Sequence, residues 1–181
     1  MNFSLLSGSN MAEFFDIYDE QGNHAGIAPR SECHGNPALI HCTAHVVVKH
    51  PETGALLLQK RRMDKDIQPG KWDTAVGGHL DCGESFLIAA VRELAEELGV
   101  TEKVELRHLF DSKIRNEIES ENTRVFGVEL AGPFAFQASE IDTVRFFTAS
   151  ELADPQWREN FTPNLLLELE ELKKCGFYPP A

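Results

Sequence analysis

The chain has 181 residues, about one domain's worth and enough to bury a core without a disulfide or structural metal. Its composition is that of a globular protein, 42% hydrophobic and 25% charged. Lys and Arg total 17 against 29 Asp and Glu, a net charge of -12, which excludes a protein built to grip a nucleic-acid backbone. An acidic protein can still hold a small phosphorylated ligand if divalent cations stand between its carboxylates and the phosphate.

Residues 1–11 are small and polar, lack a positive segment ahead of an apolar one, and are expected to be a disordered extension rather than a signal peptide. A single domain is expected over 12–181, and no stretch reaches the ~18 apolar residues of a spanning helix. Phe14–Tyr18 predicts a strand, and residues 19–23 a turn into a short extended piece at His24–Ala28. Leu39–Lys49 is apolar and β-branched; after the turn Pro51-Glu52-Thr53-Gly54 the chain returns through Ala55–Lys60, which predicts an antiparallel hairpin. Trp72–Leu80 is extended, with Trp72 read as core. From Glu84 to Leu98 the residues Leu87, Val91, Leu94 and Leu98 recur at helical spacing, a stripe expected to face the core, and Gly99 is the stop. Val104–Ile114, Thr123–Leu130 and Val144–Thr148 predict strands. A last helix is expected from Pro163 to Lys174, with Thr162 as N-cap and Lys173 and Lys174 at its end. Strands and helices interleave without regular strand-helix-strand spacing, so the class is α+β with a mixed sheet. Cys33, Cys42, Cys82 and Cys175 form no CxxC pair and are read as reduced thiols, which implies a cytoplasmic protein.

Glu93, Glu96 and Glu97 share one side of the 84–98 helix, where like charges three and four residues apart destabilise it unless something neutralises them. Their hard oxygens suit Mg²⁺ or Mn²⁺. The alternative is a solvated acidic face. Gly77 and Gly78 let the backbone approach a metal or phosphate closely, or merely mark a bulge. Lys60, Arg61, Arg62, Lys65 and Lys71 gather cations within twelve residues, either as a phosphate-anchoring rim or as a charged loop neutralised by Asp64 and Asp66.

The string Gly78, five residues, Glu84, seven residues, Arg92-Glu93-Leu94-Ala95-Glu96-Glu97-Leu98-Gly99-Val100 is identified with the Nudix box at every fixed position. The resemblance implies the Nudix fold, an α/β/α sandwich around a mixed sheet, and an enzyme that hydrolyses a diphosphate linkage with Mg²⁺ or Mn²⁺. Carried over, Glu93, Glu96, Glu97 and the Gly77 carbonyl would ligate metal. Glu93 would be the general base beside Glu97, Glu84 an outer-sphere acid, and Arg92 the group orienting the glutamates. Lys60, Arg61, Arg62 and Lys71 are the candidate substrate-binding residues.

The stretch from Leu57 through Lys71-Trp72-Asp73 to Gly78-His79 also resembles the isopentenyl-diphosphate isomerases, which share the Nudix fold. That likeness implies a second divalent-metal site from His34, His41, His79 and Glu121. It departs from this sequence in two places. Ala75-Val76-Gly77 stands where the isomerase carries its catalytic cysteine, and Thr123 where it carries a second acidic ligand. The expected partner is a small diphosphate substrate, with no nucleic acid or membrane, and a homodimer through the N-terminal strands is a further expectation. An isomerase-like enzyme and a non-catalytic Nudix ligand-binding module are the alternatives to a hydrolase.

Overall fold

Phe15 and Ile17 alternate with Asp16 between Phe14 and Tyr18, the period of a half-buried strand, and this segment is β1 of the computed structural model, which describes residues 13–179. The expectation for residues 1–11 lies outside the described residues. β1 pairs antiparallel with β2 (His24–Pro29) across a turn in which the Asp19 carboxylate accepts from the backbone N–H groups of Gln21 and Asn23. One helical turn, α1 (Arg30–Cys33), leads to the strands β3 (His41–Lys49) and β4 (Leu56–Arg61). Next come β5 (Trp72–Thr74), β6 (Val76–His79), α2 (Phe86–Leu98), β7 (Arg107–Arg115), β8 (Ser120–Glu129) and β9 (Ile141–Phe147). The described chain closes with α3 (Ala149–Ala153), α4 (Pro155–Arg158) and α5 (Pro163–Lys174).

The expected hairpin of β3 with β4 needs correction. The two strands pair only at their turn end, where Lys49 lies opposite Leu56. Beyond it they part: β4 takes β5 and β9 as antiparallel neighbours, while β3 takes β6 antiparallel and β8 in parallel, His41 opposite Glu121 through Lys49 opposite Glu129. Val46–Val48 and Leu56–Leu58 are unbroken apolar runs, the pattern of strands covered on both faces, and such a pattern does not encode which strand lies alongside. The expected segment 72–80 breaks at buried Ala75, where the chain leaves β4 and joins β3.

The sheet has a helix on each face. Cys42, Ala44, Val46 and Val48 of β3 pack with Ala89, Ala90, Leu94 and Leu98 of α2 in one cluster; Val47, Leu56 and Leu58 pack with Leu165, Leu169 and Leu172 of α5 in the other. This is the α/β/α arrangement around a mixed sheet that the resemblance to the Nudix box implies. A second correction concerns α2. Leu87 and Val91 of the expected core stripe are 51% and 47% exposed, and the buried face is Ala89, Ala90, Leu94 and Leu98. Two alanines let the helix backbone lie close to the sheet, and that rotation turns Glu93 and Glu97 inward beside Leu94 and Leu98. Ser85 caps α2 by accepting from the Ile88 N–H, and Gly99 ends it at φ 69°, where glycine carries no Cβ penalty. Helix α5 starts as expected, with Thr162 Oγ1 accepting from the Leu165 N–H at 3.1 Å.

Candidate functional site

The inward turn of α2 sets the glutamates against the β6 glycines. Glu97 Oε2 accepts from Gln59 Nε2 at 3.1 Å and from the Gly77 N–H at 3.3 Å. A Cβ built at Gly78 would overlap the Glu93 carboxylate, so only glycine leaves that side chain its place. Arg92 grips both sides of the cluster. Its Nε and Nη2 donate to the two Glu84 oxygens at 3.0 and 2.8 Å, its Nη1 to Glu93 at 2.7 Å, and its Nη2 to the His79 carbonyl at 2.9 Å. Glu96 is half exposed and takes a longer bond from Arg92, 3.4 Å.

Burial raises the Glu93 carboxyl against the opposing Arg92 bond. Burial, and then the charge of Glu93, push Glu97 up to about 8. Glu93 shares the one guanidinium with Glu84 and Glu96, and Glu97, half-buried one turn on, has no cation beside it, only the Gln59 amide and the Gly77 N–H. The set is short of positive charge and rich in hard oxygen, the donor chemistry that a divalent cation fits.

His34, His41, His79 and Glu121 also come together. The ligand atoms of the three rings lie within 4.8 Å of one another. His41 and His79 place their Nε2 atoms 3.6 and 3.5 Å from Glu121 Oε1. His41 Nδ1 donates to the Leu39 carbonyl at 3.0 Å, which orients the ring with its Nε2 toward Glu121. Buried Phe15 stacks on the His79 and His41 rings at 4.5 and 5.3 Å and fixes their planes. The Nε2 atoms of His41 and His79 are buried without a hydrogen-bond partner. Burial works to raise Glu121, yet the two rings hold its carboxyl well below the usual range. Three imidazoles and a carboxylate with two orphaned nitrogens fit a divalent metal. Thr123 instead bonds Thr43 Oγ1 to Oγ1 at 2.7 Å.

A cavity of about 700 Å³ reaches both clusters, bordered by Glu93, Glu96 and Glu97 on one part and His34, His79 and Glu121 on another. Of the cationic run, Arg61 and Lys65 line it. Lys60, Arg62 and Lys71 do not. Lys60 pairs with Asp142 at 3.6 Å, Arg62 with both Asp64 oxygens at 2.9 Å, and Lys71 Nζ donates to the Glu159 carbonyl at 2.6 Å. Trp72 is buried against Phe147 and Trp157, away from any stacking role.

One constellation escaped the sequence. His45 of β3 borders the cavity, and its Nδ1 lies 2.7 Å from Glu168 Oε2 of α5. Burial pulls this imidazole down, but Glu168, aided by Asp73 and Glu121, outweighs it and holds it at about 9. The available signal was Glu168 itself, a charge set among Leu165, Leu169 and Leu172 on the buried face of α5.

Comparison with known proteins agrees with this architecture. The NUDIX domain model matches residues 40–165. An uncharacterized Nudix hydrolase of Yersinia pestis is 35% identical over 161 residues, 87% of this chain and 84% of that protein. A Streptomyces avermitilis protein named isopentenyl-diphosphate Delta-isomerase is 32% identical over 164 residues, 88% of this chain and 83% of its own. The crystal structure of DR0079 from Deinococcus radiodurans shares the fold with a TM-score of 0.73 at 23% identity, covering 90% of this chain and 99% of that one.

Proposed function

The chain belongs to the Nudix family, and from that premise we propose that it hydrolyses a diphosphate linkage in a small organic molecule, nucleotide-type or otherwise, with Mg²⁺ or Mn²⁺ as cofactor. The observation that carries this reading is the half-buried Glu93–Glu97 pair, turned onto the Gly77–Gly78 backbone at the edge of the cavity. Glu93, Glu96, Glu97 and the Gly77 carbonyl would hold the cation, which would supply charge against the diphosphate and ease deprotonation of the attacking water. Arg92 fixes the Glu93 carboxylate through Nη1 and anchors it to Glu84 and the His79 carbonyl. In the hydrolysis, water adds at phosphorus, the anhydride P–O bond breaks, and the water proton passes to Glu93. Arg61 and Lys65 line the cavity, paired with Asp73 and Glu140, and would serve the phosphates as counter-charges by exchanging those partners.

The His34–His41–His79–Glu121 cluster favours a second reading, an isomerase-like enzyme with its metal at those residues. Against it, none of the four cysteines lines the cavity, so that reaction's thiol has no counterpart. We therefore place hydrolysis first and read the histidine cluster as an additional metal site in the same cavity.

The test is Mg²⁺-dependent phosphate release from nucleotide sugars, dinucleotides, nucleoside triphosphates and coenzyme A derivatives, with isopentenyl diphosphate as a separate arm. Turnover of at least one diphosphate is expected. Glu97→Gln should stay folded and lose about 10²- to 10³-fold in kcat, the scale of losing one charge-stabilising group. Full activity in that variant would overturn the assignment. Isomerisation of isopentenyl diphosphate would promote the second reading, and tight metal-independent binding without turnover would indicate a ligand-binding module.

A further inference from the structure

Beyond Lys49 and Leu56 the sheet parts, with β6 on the β3 side and β5 on the β4 side. The Glu97 carboxylate spans that parting. Its Oε2 accepts from Gln59 Nε2 of β4 at 3.1 Å and from the Gly77 N–H of β6 at 3.3 Å, and among the described residues no donor reaches Oε1. One oxygen is therefore held from both halves of the sheet. The other is uncommitted, on a side chain that lines the cavity together with Gln59.

Gln59 has no local reason to be polar. It follows Leu56-Leu57-Leu58, shares the α2-facing side of β4 with Leu57 by strand alternation, and is 6% exposed. A buried amide costs free energy unless its groups are bonded, and Nε2 to Glu97 is the one hydrogen bond this side chain makes among the described residues. An apolar side chain of the same length would fill the place without that cost. What the amide adds is a fixed attitude of the carboxylate. A single bond from Gly77 would leave the carboxylate free to pivot about it, and the second, from the other half of the sheet, removes that freedom. Mg²⁺ demands near-ideal octahedral geometry, so a ligand oxygen aimed in advance binds it with less ordering. A group that aims a ligand thus governs affinity without touching the ion.

We propose that Gln59 is a positioning residue for the divalent cation: its amide holds Oε2 of Glu97 and leaves Oε1 for the ion. The inference rests on Glu97 being a cation ligand, as in the reading above, and adds to that reading a residue outside the Nudix box.

The test is titration of the full chain with Mg²⁺ and with Ca²⁺ by isothermal calorimetry, with thermal melting of the metal-free protein in parallel. Both ions prefer oxygen, which keeps them from the three imidazoles. Gln59→Met keeps the length and bulk and removes the donor. It should melt within a few degrees of wild type and bind Mg²⁺ about 10- to 100-fold more weakly, the scale of losing an outer-shell partner of a ligand. A packing role predicts no such loss, since methionine fills the same space. Ca²⁺, whose coordination tolerates varied geometry, should lose less than Mg²⁺. Gln59→Asn, whose amide stops one carbon short of Glu97, should also weaken Mg²⁺ and keeps the test decisive if the methionine variant does not fold. Wild-type Mg²⁺ affinity in these variants would sink the proposal, as would equal losses for the two ions. Phosphate release reports on the hydrolase reading separately. No release from any compound, with Mg²⁺ binding still dependent on Gln59, would remove the catalysis and leave the positioning; full release with Mg²⁺ affinity unmoved in Gln59→Met would do the reverse. A wild-type chain that takes up no Mg²⁺ at millimolar concentration would remove both.

Discussion

At Gly78 the decisive quantity is the space a single methyl group needs. Its backbone is outside the left-handed region, so alanine is conformationally allowed there, and relief of unfolded-state entropy alone would favour it slightly. The added carbon would nevertheless overlap the Glu93 carboxylate and drive it from its bond with Arg92. Gly78→Ala is therefore expected to leave the melting temperature within a few degrees of wild type while kcat falls about 10²-fold, the cost of an ångström-scale misplacement. Thermal melting beside the phosphate-release assay checks it, and unchanged turnover would mean that Glu93 needs no exact seat. The glycine was legible in the sequence as a point of close approach. Which side chain approaches was not, because that depends on how far α2 is rotated on the sheet.

Helix α2 shows why a periodic pattern is not yet a face. Leu87, Val91, Leu94 and Leu98 satisfy helical spacing, but so do Ala90, Leu94 and Leu98, and the sheet selects the second set because the alanines admit closer packing. The two sets predict different energetics. Leu94→Ala should cost about 2–5 kcal/mol as a core cavity, whereas Leu87→Gln should stay within about 0.5 kcal/mol. Urea unfolding of both variants decides the matter, and equal losses would restore the original stripe. Helix α5 needed no such revision. Its limits are set by local chemistry, a Thr162 cap, Pro163 at the first position and terminal lysines, all visible in the chain itself.

Across the whole molecule the cavity joins elements far apart in sequence, and its charges are expected to make stability depend on cations and pH. Mg²⁺ or Mn²⁺ at a hundredfold excess over its dissociation constant should stabilise the fold by about 2.7 kcal/mol through linkage. Differential scanning calorimetry should show the rise in wild type and a smaller one in Glu97→Gln. The β3–α5 contact carries its own pH signature. His45 is held at about 9 against an ordinary 6.5, so its contribution is fully present below pH 6.5 and is lost as pH rises through about 9. Between pH 7 and 10 wild type should lose more melting temperature than Glu168→Gln, and parallel curves would show that the pair adds nothing. No helix among the described residues is long and apolar enough to cross a membrane.

The spacing of Gly78, Glu84, Arg92, Glu93, Glu96 and Glu97 sufficed to name the family, because those residues sit on one loop and one helix whose geometry is local. Nearly every strand and both long helices were likewise readable from periodicity and capping. Three things required the tertiary structure: the parting of β3 from β4, the inward turn of Glu93 and Glu97, and the meeting of His45 with Glu168 across 123 positions of chain. Each depends on which surfaces pack together. Packing is settled by shape and burial summed over distant segments, and no local pattern of residues carries that sum.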